Sequence, residues 1–173
     1  NTHIHEAQKT GTLSNLPKKM FIDGQWLEAC GGDRMETFDP GTAAAFTDFS
    51  MGSAEDVEVA VASSSKAFGL WRQVTPAERT SIMLRSANLI RENSALLAVV
   101  ESMDSGKSVA EAQGDIAGCA RLMEYYAGAA DKIQGDTIPL GPDYLSCTYL
   151  EPVGVTAHIV PWNYPSSTMI RGI

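Results

Sequence analysis

The segment that most restricts the fold of this chain lies near its carboxyl end. Val153-Gly154-Val155-Thr156-Ala157-His158-Ile159-Val160 is a nearly unbroken β-prone run, and it leads straight into Pro161-Trp162-Asn163-Tyr164-Pro165. A strand wetted on one face alternates polar and apolar residues. A strand that does not alternate belongs inside a parallel sheet with helices on both faces. Two prolines four residues apart then deny the next segment a helix and hold it extended. Ser166-Ser167-Thr168 offers helix caps, and Met169-Ile170 opens an apolar pattern. The expectation is an α/β chain in which a buried strand, a braced loop and a helix start follow one another. A parallel pair needs a crossover and a return strand, and the run to Ile173 supplies neither, so the sequence reads as interrupted.

The residues before this segment divide into polar, antiparallel and helical stretches. Residues 1–19 are polar and aperiodic and read as a loose arm. Asp23-Gly24 between Met20-Phe21-Ile22 and Gln25-Trp26-Leu27 predicts a tight hairpin, because both turn residues need positive φ. Met35 to Phe38 and Ala43 to Phe49 read as two further strands around the turn Asp39-Pro40-Gly41-Thr42, in which proline presets one dihedral and glycine supplies the other. The pattern then changes to a period of 3.6. Ser53 caps a helix with Glu55 and Asp56 in its first turn, and Val57, Ala60, Val61, Ser64 and Phe68 share one face. Thr75-Pro76-Ala77-Glu78 predicts a capping box with proline at the first helical position, followed by an inward face of Ile82, Met83, Ala87, Leu89 and Ile90. Ser94 is expected to cap a third helix that Gly106 terminates. A fourth is expected over 108–133, with Ala112, Ile116, Ala120, Met123 and Ala127 inward and Gly135 at its end. Gly114, Gly118 and Gly128 weaken that helix and read as marks of close packing. Strand character returns over 137–140 and 144–150. Two such strands are not stable as an isolated ribbon in water, so they either edge the chain's own sheet or pair with another subunit.

Charge and cysteine usage narrow the class. Lys and Arg number 13 and Asp and Glu 21, a net charge of −8. That sign argues against a phosphate-backbone partner such as nucleic acid. No run approaches the about 18 apolar residues of a membrane span, and residues 1–19 lack the basic-then-apolar pattern of a secretion signal. Cys30, Cys119 and Cys147 are odd in number, widely spaced and free of metal-ligand spacing. They are expected as free thiols in a reducing, cytoplasmic setting. Cys119 falls on an apolar helix face, where a thiol is inert.

The loop at the carboxyl end of a parallel strand is where open α/β sheets place ligands. Asn163 sits there between the two prolines. Its amide can donate to a developing oxyanion without surrendering a proton. Asparagine between prolines is also an ordinary turn residue, and Trp162 is either a site wall or core. On the residues alone both readings stay open.

Seven segments in one order carry a family resemblance. They are Phe21-Ile22-Asp23-Gly24-Gln25-Trp26, Glu36-Thr37-Phe38-Asp39-Pro40, Thr75-Pro76-Ala77-Glu78-Arg79, Asp104-Ser105-Gly106-Lys107, the stretch 125–133, Glu151-Pro152-Val153-Gly154-Val155, and Ile159-Val160-Pro161-Trp162-Asn163-Tyr164-Pro165. From Met20 to Ile173 the chain resembles the N-terminal third of an NAD(P)-dependent aldehyde dehydrogenase. The resemblance implies the N-terminal part of that α/β fold: small antiparallel strands and a helical segment of the cofactor-binding domain over 20–135, an oligomerisation hairpin over 136–151, and the first strand of a Rossmann-like parallel sheet over 152–173.

The resemblance also implies roles. Asn163 matches the oxyanion-hole asparagine, acting with the backbone N–H of a nucleophilic cysteine. Ile159, Val160, Pro161 and Trp162, with Asn163, match the strand end and turn beside the nicotinamide of NAD or NADP. Thr37, through its carbonyl, and Asp115, through its carboxylate, fall where some members bind K+ or Na+. The implied reaction oxidises an aldehyde to an acid: a thiolate adds to the aldehyde, hydride leaves to NAD(P)+, and a Glu-activated water hydrolyses the thioester. Cys30, Cys119 and Cys147 do not stand in the nucleophile's motif, and the base glutamate and pyrophosphate turn match no residue here. The chain by itself is therefore expected to be inactive. The implied partners are an aldehyde substrate and further copies of the chain, as a homodimer or homotetramer. The alternative expectation is a non-catalytic truncated form that pairs through the oligomerisation strands.

Overall fold

The computed structural model describes residues 2–13 and 16–173. In it the local turn chemistry of the first fifty residues takes the expected form. Asp23 and Gly24 have φ of 51° and 73°, and they join β1 (Met20–Ile22) to β2 (Gln25–Leu27) with Phe21 opposite Trp26. β3 (Arg34–Asp39) pairs antiparallel with β4 (Ala44–Ser50), with a register irregularity between Thr37 and Phe38. The left-handed residue of the turn between them is Ala43, at φ 58°, and not Gly41. The bend is tied instead by Asp39, whose carboxylate accepts from the Gly41 N–H at 2.7 Å and whose carbonyl accepts from the Ala43 N–H at 2.7 Å. Outside the ribbon, Asp48 accepts from Lys18 Nζ at 2.5 Å and Arg34 Nε at 2.6 Å, and these two donors hold its carboxyl down at about 2.

The described residues of the expected loose arm include a helix and buried contacts. α1 (Thr2–Thr10) precedes Gly11, and Leu13 is buried with Phe46, Val99 and Met103 while Ala7 and Leu16 pack on the same cluster. The few apolar residues of a polar leader are spaced to reach one hydrophobic patch, which ties the segment down. Ser14 and Asn15, which the loose-arm reading included, lie outside the described residues, as does Asn1.

Four helices form the body of the chain. α2 (Ala54–Trp71) and α3 (Pro76–Glu92) each start with a complete capping box, Ser53 with Asp56 and Thr75 with Glu78. Asp56 is buried and also accepts from the Cys30 N–H at 3.1 Å, which fastens the strand region to the helix start. α4 (Ser94–Ser105) has Asn93, not Ser94, at its cap position, and no side chain caps it. Asn93 also closes α3, so one residue serves both helix ends and Ser94 falls inside the second. α5 (Val109–Ala127) is capped by Ser108 and ends eight residues before Gly135, with Gly128 following Ala127. Glycine is a poor helix residue, and at Gly128 the chain leaves the helix for a turn.

α3 and α5 run antiparallel: Thr80 Oγ1 donates to the Ala127 carbonyl at 2.8 Å at one end, and Ile90 packs on Ala98, Ala112 and Ile116 at the other. Ala87 and Ala120 between α3 and α5, and Ala98 and Ala112 between α4 and α5, are essentially fully buried. Small side chains let helix axes approach closely, so the core is made by backbone proximity as much as by bulk. Leu89, expected inward, is exposed, as are Val57 and Val61 of α2. The apolar face of α2 has the right period and no covering layer among the described residues.

The two carboxyl-terminal strand expectations are corrected in different ways. β5 (Thr137–Ile138) and β6 (Ser146–Cys147) pair only with each other, as a shorter ribbon than 137–140 and 144–150 suggested. Gly135 is needed at its base, because a Cβ there would lie 1.8 Å from the Thr148 carbonyl oxygen. Val153 to Val160 is no strand in this chain and no parallel pairing occurs among the described residues. Val153 is 99% exposed and Ile159 98%. A central strand is held by ladders on both edges, and among the described residues this segment has a ladder on neither. α6 (Pro165–Gly172) follows, with Pro165 in its first turn and Tyr164 rather than a serine at the cap position.

The glycines separate into distinct kinds. Gly106 closes α4 at φ 75°, and a Cβ on it would meet Pro40 Cγ at 2.8 Å. Gly114 and Gly118 have nothing within 4 Å of a Cβ, so within this chain they do not mark close packing. Gly106→Ala should lower the stability of the chain by roughly 1–2 kcal/mol from the left-handed backbone alone, whereas Gly118→Ala should raise it by up to about 1 kcal/mol. Urea unfolding of the two variants against the wild type measures both signs.

Candidate active-site corner

Asn163 stands in the turn between Pro161 and Pro165, one residue before the cap position of α6. It is exposed. Among the described residues its side-chain amide has no hydrogen-bond partner, so the donor is not consumed by its own bend. Its backbone carbonyl accepts from Lys107 Nζ at 3.0 Å. The prolines brace the corner along the chain, and Lys107 holds it from across the fold.

Lys107 reaches that position because of how α4 ends. Gly106 turns left-handed, and Ser102 Oγ donates to the Lys107 carbonyl at 2.7 Å. The Lys107 side chain is 11% exposed. Its ammonium also donates to Glu101 Oε1 at 2.8 Å and Asp115 Oδ2 at 2.7 Å. An ammonium has three N–H donors, and here three acceptors take them. The Tyr164 ring lies beneath the same nitrogen, 4.5 Å from it to the centroid. Burial by itself would push the Lys107 pKa down; hydrogen bonds to Asp115 and then Glu101 outweigh it and raise the group above its ordinary value.

Glu101 is 3% exposed, which an unpaired carboxylate would not tolerate. Its oxygens are divided between two elements. Oε1 accepts from Lys107, while Oε2 accepts from Ser166 Oγ at 2.5 Å and more loosely from the Ser166 N–H at 3.4 Å. The carboxylate thus also satisfies a first-turn N–H of α6 and meets the positive end of that helix. Residues 163 to 166 are held at a carbonyl, a ring and a hydroxyl by one ion pair from the helical body.

Of the other predicted site residues, Asp115 reaches this corner through Lys107, whereas Thr37 does not. Ile159, Val160, Pro161 and Trp162 are exposed on the unpaired extended segment, Trp162 at 79%. They carry no charge and fit one face of a flat apolar ring; nothing in them would hold a phosphate. Thr37 and Asp115 are tied to different partners. Thr37 Oγ1 donates to Asp104 Oδ1 at 2.9 Å, so the carboxylate beside Thr37 is Asp104. Asp115 already has the Lys107 ammonium in the place a cation would take. Among the described residues no group of three or more His, Cys, Asp or Glu side chains could hold a metal ion. Cys119 is buried, and burial raises its thiol pKa, as does the Asp56 carboxylate for Cys30; both stay protonated. No helix among the described residues is long and apolar enough to cross a membrane.

Sequence reasoning missed the Glu101–Lys107 pair. A signal was present: Glu101 follows Leu97 by four residues and Ala98 by three, so it falls on the inward face of α4. An acid at such a position requires a basic partner.

The aldehyde dehydrogenase family profile matches residues 26–173. An aldehyde dehydrogenase of Aspergillus niger is 41% identical over 156 residues, and a hydroxyisobutyraldehyde dehydrogenase of Mycolicibacterium austroafricanum is 39% identical over 162. The matches cover 90% and 94% of this chain but 31% and 32% of those proteins. The chain therefore spans about a third of the length of the curated relatives it matches. A crystal structure of a betaine aldehyde dehydrogenase double mutant from Staphylococcus aureus, in complex with NAD+, superposes with a TM-score of 0.87 at 32% identity, over 94% of this chain and 33% of that one. An NAD-dependent aldehyde dehydrogenase from Sinorhizobium meliloti gives 0.85 at 36% identity, over 92% and 34%.

The raised pKa of Lys107 fixes the sign of one pH effect. A base bound more tightly to its proton in the folded state stabilises the fold below its unfolded pKa, and that stabilisation disappears as pH climbs through the folded value. Stability should therefore fall above about pH 10.4, the ordinary lysine range. The fall in urea midpoint over that range should be smaller in Lys107→Met than in the wild type.

Proposed function

The chain belongs to the aldehyde dehydrogenase family, and we propose that in the longer protein Asn163 is the neutral donor to the oxyanion formed when a thiolate adds to an aldehyde carbonyl. The observation that carries this reading is the state of Asn163. Its backbone is anchored through Lys107, while its amide has no partner among the described residues. A donor fixed before reaction and not already committed is what stabilises developing charge without reorganisation. The thiolate and the base that completes hydrolysis would come from other parts of the longer protein.

We assign the apolar segment Ile159, Val160, Pro161 and Trp162 to one side of the nicotinamide pocket of NAD or NADP. When bound there, the nicotinamide accepts the hydride that the aldehyde carbon loses. The chain's contribution would be to shield that face from water, with the two prolines keeping the segment extended. NAD is supported by the NAD+ complexes among related structures. A cytoplasmic setting is consistent with three free cysteines.

Asn163→Ala in the full-length protein should lower kcat by roughly 10²–10³-fold with little change in cofactor binding. Turnover equal to wild type would remove the oxyanion assignment. The 173-residue chain alone should give no NADH with any aldehyde, because Asn163 then faces no thiolate; NADH production would overturn that.

A second reading concerns assembly. The β5–β6 ribbon leaves Tyr144, Leu145, Tyr149 and Leu150 exposed around two short strands. Such a ribbon is marginal alone in water and has free edges that another subunit's sheet can extend. We therefore propose homo-oligomerisation through 136–151, which the isolated chain would retain. Light scattering should find the purified chain larger than 18.5 kDa, and a monodisperse monomer would exclude this reading.

A further inference from the structure

We propose that Lys107 is a positioning residue for Asn163: its ammonium, fixed by Glu101 and Asp115, holds the Asn163 carbonyl and underlies the Tyr164 ring, and so sets the direction in which the Asn163 amide points. The inference rests on the oxyanion role of Asn163 and assigns that role a support outside the loop that carries it.

The geometry separates this from an ordinary buried ion pair. A lysine present only to neutralise Glu101 and Asp115 would be complete with its two carboxylate contacts, at 2.8 and 2.7 Å. The third donor goes to the carbonyl of the candidate residue itself, 56 positions away in sequence. The ring that the nitrogen faces belongs to the next residue. The second oxygen of Glu101 goes to Ser166, three residues past Asn163. Every side-chain contact that Lys107 and Glu101 make outside their ion pairs therefore lands within 163–166. The peptide after Asn163 is held by its oxygen, so rotation about the Asn163 backbone would break the bond to Lys107. The amide itself is left uncommitted. A reacting group displaced by about 1 Å can cost about 10²-fold in rate, so a support of this kind has kinetic consequences although Lys107 touches no reacting atom.

The test is a double-mutant cycle in the full-length protein: wild type, Lys107→Met, Asn163→Ala and the double variant. Each is assayed with whichever short aliphatic aldehyde the wild type oxidises fastest. Lys107→Met should lower kcat about tenfold or more, toward the about 10²-fold of a displaced group, with KM for the cofactor within about twofold of wild type. The double variant should be no slower than Asn163→Ala within about twofold, because a misplaced amide and an absent one are then the same defect. Independent multiplication of the two losses would overturn the proposal, as would unchanged kcat in Lys107→Met. Removing the ammonium strands Glu101; if the single variant does not fold, Lys107→Met/Glu101→Gln, which removes both charges, takes its place in the cycle. A crystal structure of the folding variant gives a readout free of activity. Residues 161–166 should shift relative to α4 and α5, and an unmoved corner would overturn the proposal. If Asn163→Ala itself turns over like wild type, the oxyanion reading fails, while the crystal structure still decides whether Lys107 holds the corner.

Discussion

A single buried carboxylate organises the corner around Asn163. Glu101 is enclosed by the α4–α5 layer, and its charge is acceptable there only because Lys107 and Ser166 take its two oxygens. That requirement brings the start of α6 against the helical body and brings Lys107 under the Pro161–Pro165 corner. The packing around it is made largely of alanines, which place helix axes close but grip no particular side chain. The polar contacts provide the orientation that alanine surfaces do not. This division of labour, apolar closeness for stability and a satisfied ion pair for register, is a known use of buried charge.

The strand region obeys a similar logic at a smaller scale. Asp56 closes the capping box of α2 and at the same time accepts from the Cys30 N–H, and it is held ionised, at about 2, by Cys30 and Ser53. Asp48 draws Lys18 and Arg34 together across β3 and β4. Each carboxylate connects segments far apart in sequence. Asp56 is the more consequential of the two, because it is buried, whereas exposed pairs such as those of Asp48 contribute modestly.

What could be read from the residues follows from the range of the forces involved. The Asp23-Gly24 hairpin, the Ser53 cap and the Thr75 capping box depend on three or four neighbouring residues, and they formed as expected. The inward face of α5, from Ala112 to Ala127, depends on one helical period, and all five positions are buried. Val153–Val160, expected as a buried strand, forms none: a strand depends on its pairing partners, and among the described residues this segment pairs with none. The leader was misread because its few apolar residues, Ala7, Leu13 and Leu16, have meaning only against Phe46 and Met103. At the corner the same boundary holds. Asn163 could be singled out from its flanking prolines, whereas its attachment to Lys107 spans 56 residues and leaves no local trace beyond the misplaced acidity of Glu101. Asp115, which the resemblance implied for a cation in some members, accepts here from the Lys107 ammonium.

The uncovered run from Val153 to Val160 also has a consequence in time. In relatives about three times as long, a ribosome adding about 5–20 residues each second would complete the helical layer before the residues that follow it. Throughout that interval both edges of an apolar, β-prone segment would be open to pairing while the corner beyond it is already pinned. Whatever first lies alongside, a nascent neighbour on the same polysome or a chaperone, competes with the chain's own later residues. The proline pair would then act as a gatekeeper, because it halts strand addition at Pro161.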